Sequence, residues 1–270
     1  MDLGLLRGIA LFETMRTRRS PSLAETAPQP HAFQAHMARL RAGAAHYQLG
    51  LPDAWQDGQN VRAIINAGLT RCAFAVDVGA RINVIATPGD LTSGMFGSNA
   101  PRGIILLSPL QLPAEELLNT GIAAITHPAL RVDPDFKTTC YLMGRPALLA
   151  AQAAGAQEAL YCDADGLISE GVISNCGLVR NGGIVLPDAA ALAGTTLTDI
   201  RHLADARGIT ITQSPLTAAD FQQADEAFVC SSVRGILPVV TLDGRAIGKG
   251  HVGPLIKELA LAHRDLPASP

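Results

Sequence analysis

Residues 131–180 read RVDPDFKTTCYLMGRPALLAAQAAGAQEALYCDADGLISEGVISNCGLVR, and the fold class turns on them. RPALLAAQAAG predicts a helix: Pro146 suits the first turn, the alanines favour helix, and Gly155 stops it. EALYCD, LISEGVISNCGLVR and GIVLP follow as apolar runs separated by the turn formers DADG and NGG, which predicts a meander of three strands. Gly171, next to Glu170, interrupts the middle run, as glycine does at a bulge or a close backbone approach.

Two side chains of this stretch invite a chemical reading, Lys137 and Glu170. The chain has only three lysines, the others being Lys249 and Lys257, among 21 basic residues. Arginine therefore supplies the positive surface charge, and a lysine set between Phe136 and Thr138 asks for another role. Lysine can lose its proton and act as a nucleophile or base; arginine effectively cannot. A surface lysine beside a loop is the plainer alternative. Glu170 is a carboxylate between two strand-like segments, placed where it could share a cofactor with Lys137.

Working back toward the N-terminus, LQLPAEELLNTG reads as a connector. It divides the chain into a small α/β domain over residues 1–108, a linker over 109–120, and a larger domain over 121–270 that carries Lys137. In the small domain LFETMRT reads as a strand, with Phe12, Thr14 and Arg16 on one face and Leu11, Glu13 and Met15 on the other. Polar groups on both faces make it either an edge or the wall of a site. RRSPSLAETAPQP reads as a loop. Phe33, Met37, Leu40, Ala44 and Tyr47 fall at steps of three and four, the pattern of an amphipathic helix, which Gly50 and Pro52 end. Arg39 and Arg41 border its apolar stripe, as solvated helix arginines also would. Residues 57–70 predict another helix, CAFAVDVGARINVIAT a hairpin turning near Asp77 to Ala80, and RGIILLSP a further strand.

On the other side, a strand around Gly121 to Thr126 precedes the lysine segment. Beyond the meander, GTTLTDIRHLADARG opens on Gly194, Thr195 and Thr196 and stops at Gly208. The first turn of such a helix offers N–H groups and hydroxyls to an anion such as phosphate. Threonine is also an ordinary N-cap, so both readings stand. Thr217 with Asp220 resembles a capping box. AFVCSS and ILPVVTLDGRAI predict strands, the latter turning at Asp243–Gly244, with SSVRG a polar loop between them. Gly253–Pro254 opens a last helix, and the tail from Leu266 is expected to fray.

Composition bounds the function. With 270 residues, 48% apolar and 17% charged, the chain has ample material for a core and is not a disordered one. A net charge of -3, without a run of like charges, lacks the electrostatic footprint of a nucleic-acid binder. The apolar N-terminal patch is broken by Arg7 and Glu13, which argues against a signal peptide or a membrane span. The five cysteines are odd in number and scattered in apolar contexts, the pattern of buried reduced thiols in the cytoplasm rather than a disulfide frame. Neither a CxxC pair nor an HExxH string occurs, so no metal site is expected.

A packed lysine, a carboxylate on a strand, a hydroxyl-rich helix start and an arginine are what pyridoxal 5'-phosphate requires. Lysine forms the Schiff base and moves a proton, the carboxylate keeps the pyridine nitrogen protonated, and the remaining groups hold the phosphate. The strings KTTCYL, GAQEALYCDADGLISEGVISNCGLV, LAGTTLTDIR and DEAFVCSSVRGILPV, with HMARLRAG and LFETMR earlier, add a more specific signal. In order and spacing the chain resembles the fold-type IV pyridoxal-phosphate enzymes over most of residues 3–245. That family comprises branched-chain aminotransferases, D-amino-acid aminotransferases and 4-amino-4-deoxychorismate lyases.

The resemblance implies an α+β architecture, with a small α/β domain and a larger domain whose mixed or barrel-like β core is flanked by helices. It implies that Lys137 is the Schiff-base lysine and Glu170 the partner of the pyridine nitrogen. Arg39, Thr195, Thr196 and Ser232 would bind the phosphate, and Tyr141 the ring hydroxyl. Thr14, Arg16 and Arg234 would face the substrate, with Arg16 and Arg234 as surface arginines the alternative. A homodimer acting on a small molecule is implied as well.

LFETMR and SSVRGILPV look most like the 4-amino-4-deoxychorismate lyases, which implies release of 4-aminobenzoate and pyruvate in folate-precursor synthesis. An aminotransferase of branched-chain or D-amino acids is the second reading, and a diverged homologue without turnover the third. Departures from the family pattern bear on substrate identity: Cys140 stands where Asn is common, Leu197 where Arg is common, and Ser231 where Asn is common in the lyases. The family's usual opening strands before FETMR are also expected to be missing or differently made.

Overall fold

The computed structural model describes residues 1–19, 28–74, 78–96 and 100–269. The fold is α+β, and the chain divides into two units. The first comprises Met1–Gln111, Phe136–Tyr141 and Leu266–Pro270; the second comprises Leu112–Asp135 and Leu142–Asp265.

In the first unit, β1 (Leu11–Arg18), β2 (Gln29–Pro30), β3 (Ala80–Thr87) and β4 (Arg102–Pro109) form an antiparallel sheet in the order β2-β1-β3-β4. Helix Phe33–His46 buries Phe33, Met37, Leu40 and Ala44, and helix Gln59–Arg71 buries Val61, Ile65 and Leu69. These steps of three and four meet the alternate residues Ala80, Ile82, Val84 and Ala86 of β3 in one core. Each large apolar side chain so buried contributes about 1.5–3 kcal/mol. Gly103 of β4 lies under Trp55, whose ring would stand 2.1 Å from an added Cβ. A short helix, Leu3–Arg7, precedes β1, its first turn capped by the Asp2 carboxylate on Gly4 N–H at 2.8 Å.

Two expectations change here. Cys72 closes helix Gln59–Arg71 instead of opening a strand, and β3 begins only at Ala80, paired with β1 and β4. Residues 75–77 of the expected hairpin lie outside the described residues, as do 20–27 of the expected loop, whose ends join β1 and β2 through Thr17–Pro30 and Arg18–Gln29. The tail does not fray. Ala268 N–H donates to Arg19 O at 2.8 Å, Arg18 Nη1 to Leu266 O at 3.0 Å, and Ala32 N–H to Ser269 O at 3.1 Å.

The second unit holds a nine-stranded mixed sheet in the order β10-β9-β8-β11-β12-β5-β6-β7, with β13 on β12. The strands are β5 (Ile122–Pro128), β6 (Glu158–Cys162), β7 (Ile168–Gly171), β8 (Asn175–Arg180), β9 (Gly183–Pro187), β10 (Ile211–Ser214), β11 (Glu226–Ser231), β12 (Gly235–Leu242) and β13 (Arg245–Ala246). β5 runs parallel to β6 and β12, and β9 parallel to β10; the other pairs are antiparallel. Helix Arg145–Ala153 carries Pro146 in its first turn, and Gly155 follows it with a φ of 70°. The hairpin turns at Asn181–Gly182 and Asp243–Gly244 have positive φ at both residues, as the primed two-residue turn requires.

The expected meander is broken. LISEGVISNCGLVR is two strands, β7 paired with β6 and β8 paired with β9 and β11, because the chain turns between Gly171 and Ser174. Gly171 N–H donates to Ser174 O at 2.8 Å, and a Cβ on Gly171 would stand 2.2 Å from Ser174 Oγ. The last helix, Pro254–Asp265, is held at its start from another strand: Glu226 Oε1 accepts Leu255 N–H at 3.0 Å and Oε2 accepts Ile256 N–H at 2.7 Å. A negative charge there also suits the helix dipole. Among the described residues, no helix is long and apolar enough to cross a membrane.

Candidate active site

Lys137 belongs to the first unit, not to the larger domain expected from its place in the sequence. The physical reason is backbone pairing. Phe12 N–H donates to Lys137 O at 2.9 Å, Leu11 bridges Thr138, and Thr139 N–H donates to Ala10 O at 3.1 Å. Phe136 anchors the segment from the other side, stacked on His46 with ring centroids 4.4 Å apart. Between these holds, Lys137 Nζ donates to Tyr141 Oη at 3.1 Å and lies 4.6 Å from the Phe12 ring centroid. Phe12 meets Tyr141 edge to face at 5.6 Å. Two aromatic rings and a phenol oxygen thus fix one primary amine.

Arg39 is not a solvated helix arginine. Its Nε and Nη2 donate to Glu13 Oε1 and Oε2, both at 2.7 Å, and His36 Nδ1 lies 2.7 Å from the same Oε2. Glu13 is fully buried on β1. His36 and Arg39, three residues apart on one helix face, converge on it. Sequence reasoning left Glu13 and His36 without a role; the His-x-x-Arg spacing opposite a strand carboxylate was the available signal. Thr14 Oγ1 donates to Asn83 Oδ1 at 2.8 Å, across the β1–β3 ladder. Arg16 is 5% exposed and so not a surface arginine.

In the second unit Glu170 is buried at the end of β7. Arg131 Nε donates to its Oε1 at 2.6 Å, Leu192 N–H approaches Oε2 at 3.3 Å, and Arg131 Nη2 also donates to Val172 O at 2.9 Å. A cation beside a buried carboxylate offsets the cost of burying that charge. Arg131, like Glu13, carried no assignment from the sequence.

Helix Thr195–Asp205 begins at Gly194 with no side-chain cap, leaving its start to Thr195 and Thr196, both buried. Thr195 Oγ1 and Ser232 Oγ lie 3.2 Å apart, so two residues expected at one phosphate do come together. Gly194 is required there, because a Cβ would stand 2.0 Å from Asn175 Oδ1. Arg234, expected at the substrate, has a different partner: its Nη2 pairs with the carboxylate of Glu158, which is fully buried.

The cysteines fall into two sorts. Burial pushes the thiols of Cys176 and Cys230 well above their ordinary value, which keeps them as inert thiols. Cys140 is exposed and Cys72 and Cys162 are half-buried, against the expectation that all are interior. No group of three or more His, Cys, Asp or Glu side chains among the described residues could hold a metal ion.

The chain belongs to the amino-transferase class IV family, which it matches over residues 10–242. Along 97% of its length it is 28% identical to the branched-chain-amino-acid aminotransferase of Salmonella typhimurium, covering 85% of that protein. Its fold matches the T.th. branched-chain amino acid aminotransferase complexed with N-(5'-phosphopyridoxyl)-L-glutamate with a TM-score of 0.85, at 23% identity over 98% of this chain and 86% of that one. It also matches a candidate 4-amino-4-deoxychorismate lyase from Legionella pneumophila with a TM-score of 0.80, at 21% identity over 97% of this chain and 92% of that one.

Proposed function

We propose that the protein is a pyridoxal 5'-phosphate-dependent aminotransferase acting on a small amino acid. The observation that carries the reading is Lys137, a primary amine held 3.1 Å from the Tyr141 hydroxyl on a segment sewn to β1. The donor set fits the cofactor part by part. The Thr195 helix start, with the hydroxyls of Thr195 and Ser232, supplies N–H and O–H donors suited to a phosphate. Arg39, its plane set by Glu13, is a cation suited to a phosphate. Glu170, an acceptor-only carboxylate when ionised, suits a protonated ring nitrogen.

When bound, the cofactor supplies a carbonyl that captures amines and a ring that accepts electrons. The remaining work belongs to the chain. Lys137 Nζ takes and returns the proton at the substrate carbon, Tyr141 orients that amine, and the Phe12 ring shields one side of it. Thr14 and Arg16 are the proposed substrate contacts, with Arg16 the counter-charge for a carboxylate.

The likeness to the Salmonella aminotransferase over nearly the whole chain favours amino transfer over elimination. The lyase reading keeps one support, the LFETMR and SSVRGILPV strings. Incubation with amino acids plus 2-oxoglutarate, and separately with aminodeoxychorismate, decides between them. Glutamate formation is expected in the first; release of 4-aminobenzoate in the second, without glutamate in the first, overturns amino transfer. A homodimer is proposed too, since Leu130, Val132, Leu142 and Met143 of the lysine region leave large apolar side chains exposed. Light scattering after size exclusion checks it.

A further inference from the structure

Glu158 opens β6 with no solvent exposure at all. Its Oε1 accepts Ala159 N–H at 3.1 Å, its Oε2 accepts Ser174 Oγ–H at 2.8 Å, and Arg234 Nη2 closes an ion pair on that same Oε2. Three segments distant in sequence therefore meet at one carboxylate: the start of β6, the turn that separates β7 from β8, and the link from β11 to β12. Gly171 packs against the same group, since a Cβ there would lie 3.1 Å from Glu158 Cδ. An ionised carboxylate at this depth costs several kcal/mol without a partner, so the arginine is needed where it stands.

The link that Arg234 ties down is the one that carries Ser232, two residues earlier. Ser232 Oγ is the group 3.2 Å from Thr195 Oγ1 at the uncapped helix start. Gly235, with a φ of 69°, then turns the chain into β12. The arginine's fork is thus directed into the sheet and the serine toward the helix, from one short turn.

We infer that Glu158, Ser174 and Arg234 form a buried clamp that sets the Ser232 turn at the phosphate subsite, so that Arg234 is a positioning residue and not a receptor for a substrate carboxylate. The inference rests on the cofactor reading above and adds residues that the reading did not use. It requires that loss of Arg234 be felt in phosphate affinity, through Ser232, and not in substrate affinity. It also requires Glu158 and Arg234 variants to share one phenotype.

The test uses apoprotein titrated by equilibrium dialysis with pyridoxal 5'-phosphate and, in parallel, with pyridoxal lacking the phosphate. Arg234→Met and Glu158→Gln are expected to weaken the phosphorylated ligand by about 10- to 100-fold, the usual scale for outer-shell partners, with pyridoxal unaffected. Ser232→Ala combined with Arg234→Met should cost no more than either alone, since both act through one hydroxyl. With cofactor saturating, the KM for the amino donor stays at the wild-type value. Where Arg234→Met does not fold, Arg234→Lys and Ser174→Ala are read in the same assay, and wild-type cofactor affinity in both overturns the clamp. A raised donor KM with unchanged cofactor affinity overturns it as well. Failure of wild-type protein to take pyridoxal 5'-phosphate would instead overturn the functional reading itself.

Discussion

Glu13 and Arg39 are joined at both ends of their forks, Nε to Oε1 and Nη2 to Oε2, each at 2.7 Å. Burial pushes the Glu13 carboxyl up, but the hydrogen bonds and charge of Arg39, then those of His36, overcome this and hold it at about 2 against an ordinary 4.5. His36 moves down from 6.5, because burial disfavours its charged form more than Glu13 favours it. Both groups bind fewer protons folded than unfolded, so stability falls as pH falls. The His36 share is lost below about 6.5 and the Glu13 share between 4.5 and about 2. Urea midpoints across that range should show both limbs. Glu13→Gln should flatten the lower one and cost about 3–5 kcal/mol at neutral pH, the usual penalty for one partner lost from a buried pair.

Lys137→Ala is expected to lower kcat by roughly 10²–10⁴-fold or more, the scale of a removed acid–base group. The reconstituted variant should also lose the visible absorption of covalently held cofactor. Tyr141→Phe removes only the oxygen that accepts from Nζ, so a smaller loss of about 10- to 100-fold is expected, matching about 1.5–3 kcal/mol for a hydrogen bond to a charged group. Wild-type turnover in Lys137→Ala would take the lysine out of the chemistry.

Glu170→Gln keeps shape and burial but surrenders the charge that suits a protonated ring nitrogen. Cofactor should still bind, measured by dialysis, while single-turnover rates drop by most of their value. Arg131→Met tests the support for that charge, since it removes the donor at 2.6 Å from Oε1. It should lower both Tm and turnover. Rates unchanged by Glu170→Gln would remove the residue from its assigned role.

Glu226 predicts a purely structural effect. Glu226→Ala withdraws the acceptor from Leu255 and Ile256 N–H at the start of helix Pro254–Asp265. Thermal unfolding should report a loss of about 1–3 kcal/mol, with cofactor affinity unmoved. Gly253→Ala should behave alike, because its Cβ would sit 2.0 Å from Glu226 Cδ.

What was legible in the sequence was local. Helix Phe33–His46 and the start of helix Thr195–Asp205 follow from side-chain spacing and from glycine, each acting within a few residues. The break after Gly171 was only half legible, because LISEGVISNCGLVR contains no proline or turn dipeptide. The bend is set by Ser174 and by Glu158, sixteen residues away. Arg131 finds Glu170 across 39 residues, a separation at which no periodicity links them. Arg234 sits in a string that reads as an exposed polar loop, and only the sheet order shows a buried carboxylate in its reach. Glu13 looked like a polar interruption of a strand until helix Phe33–His46 supplied two partners for it.

The lysine segment has a consequence for how the chain can be cut. Residues 136–141 complete the first unit, yet they are flanked on both sides by residues of the second, and 266–269 return to the first again. No single scission yields either unit whole. A fragment ending near Gln111 would lack Lys137 and the strand partner it gives β1, and a chimera that exchanged the first unit with that of a relative would have to transplant three separate pieces of chain.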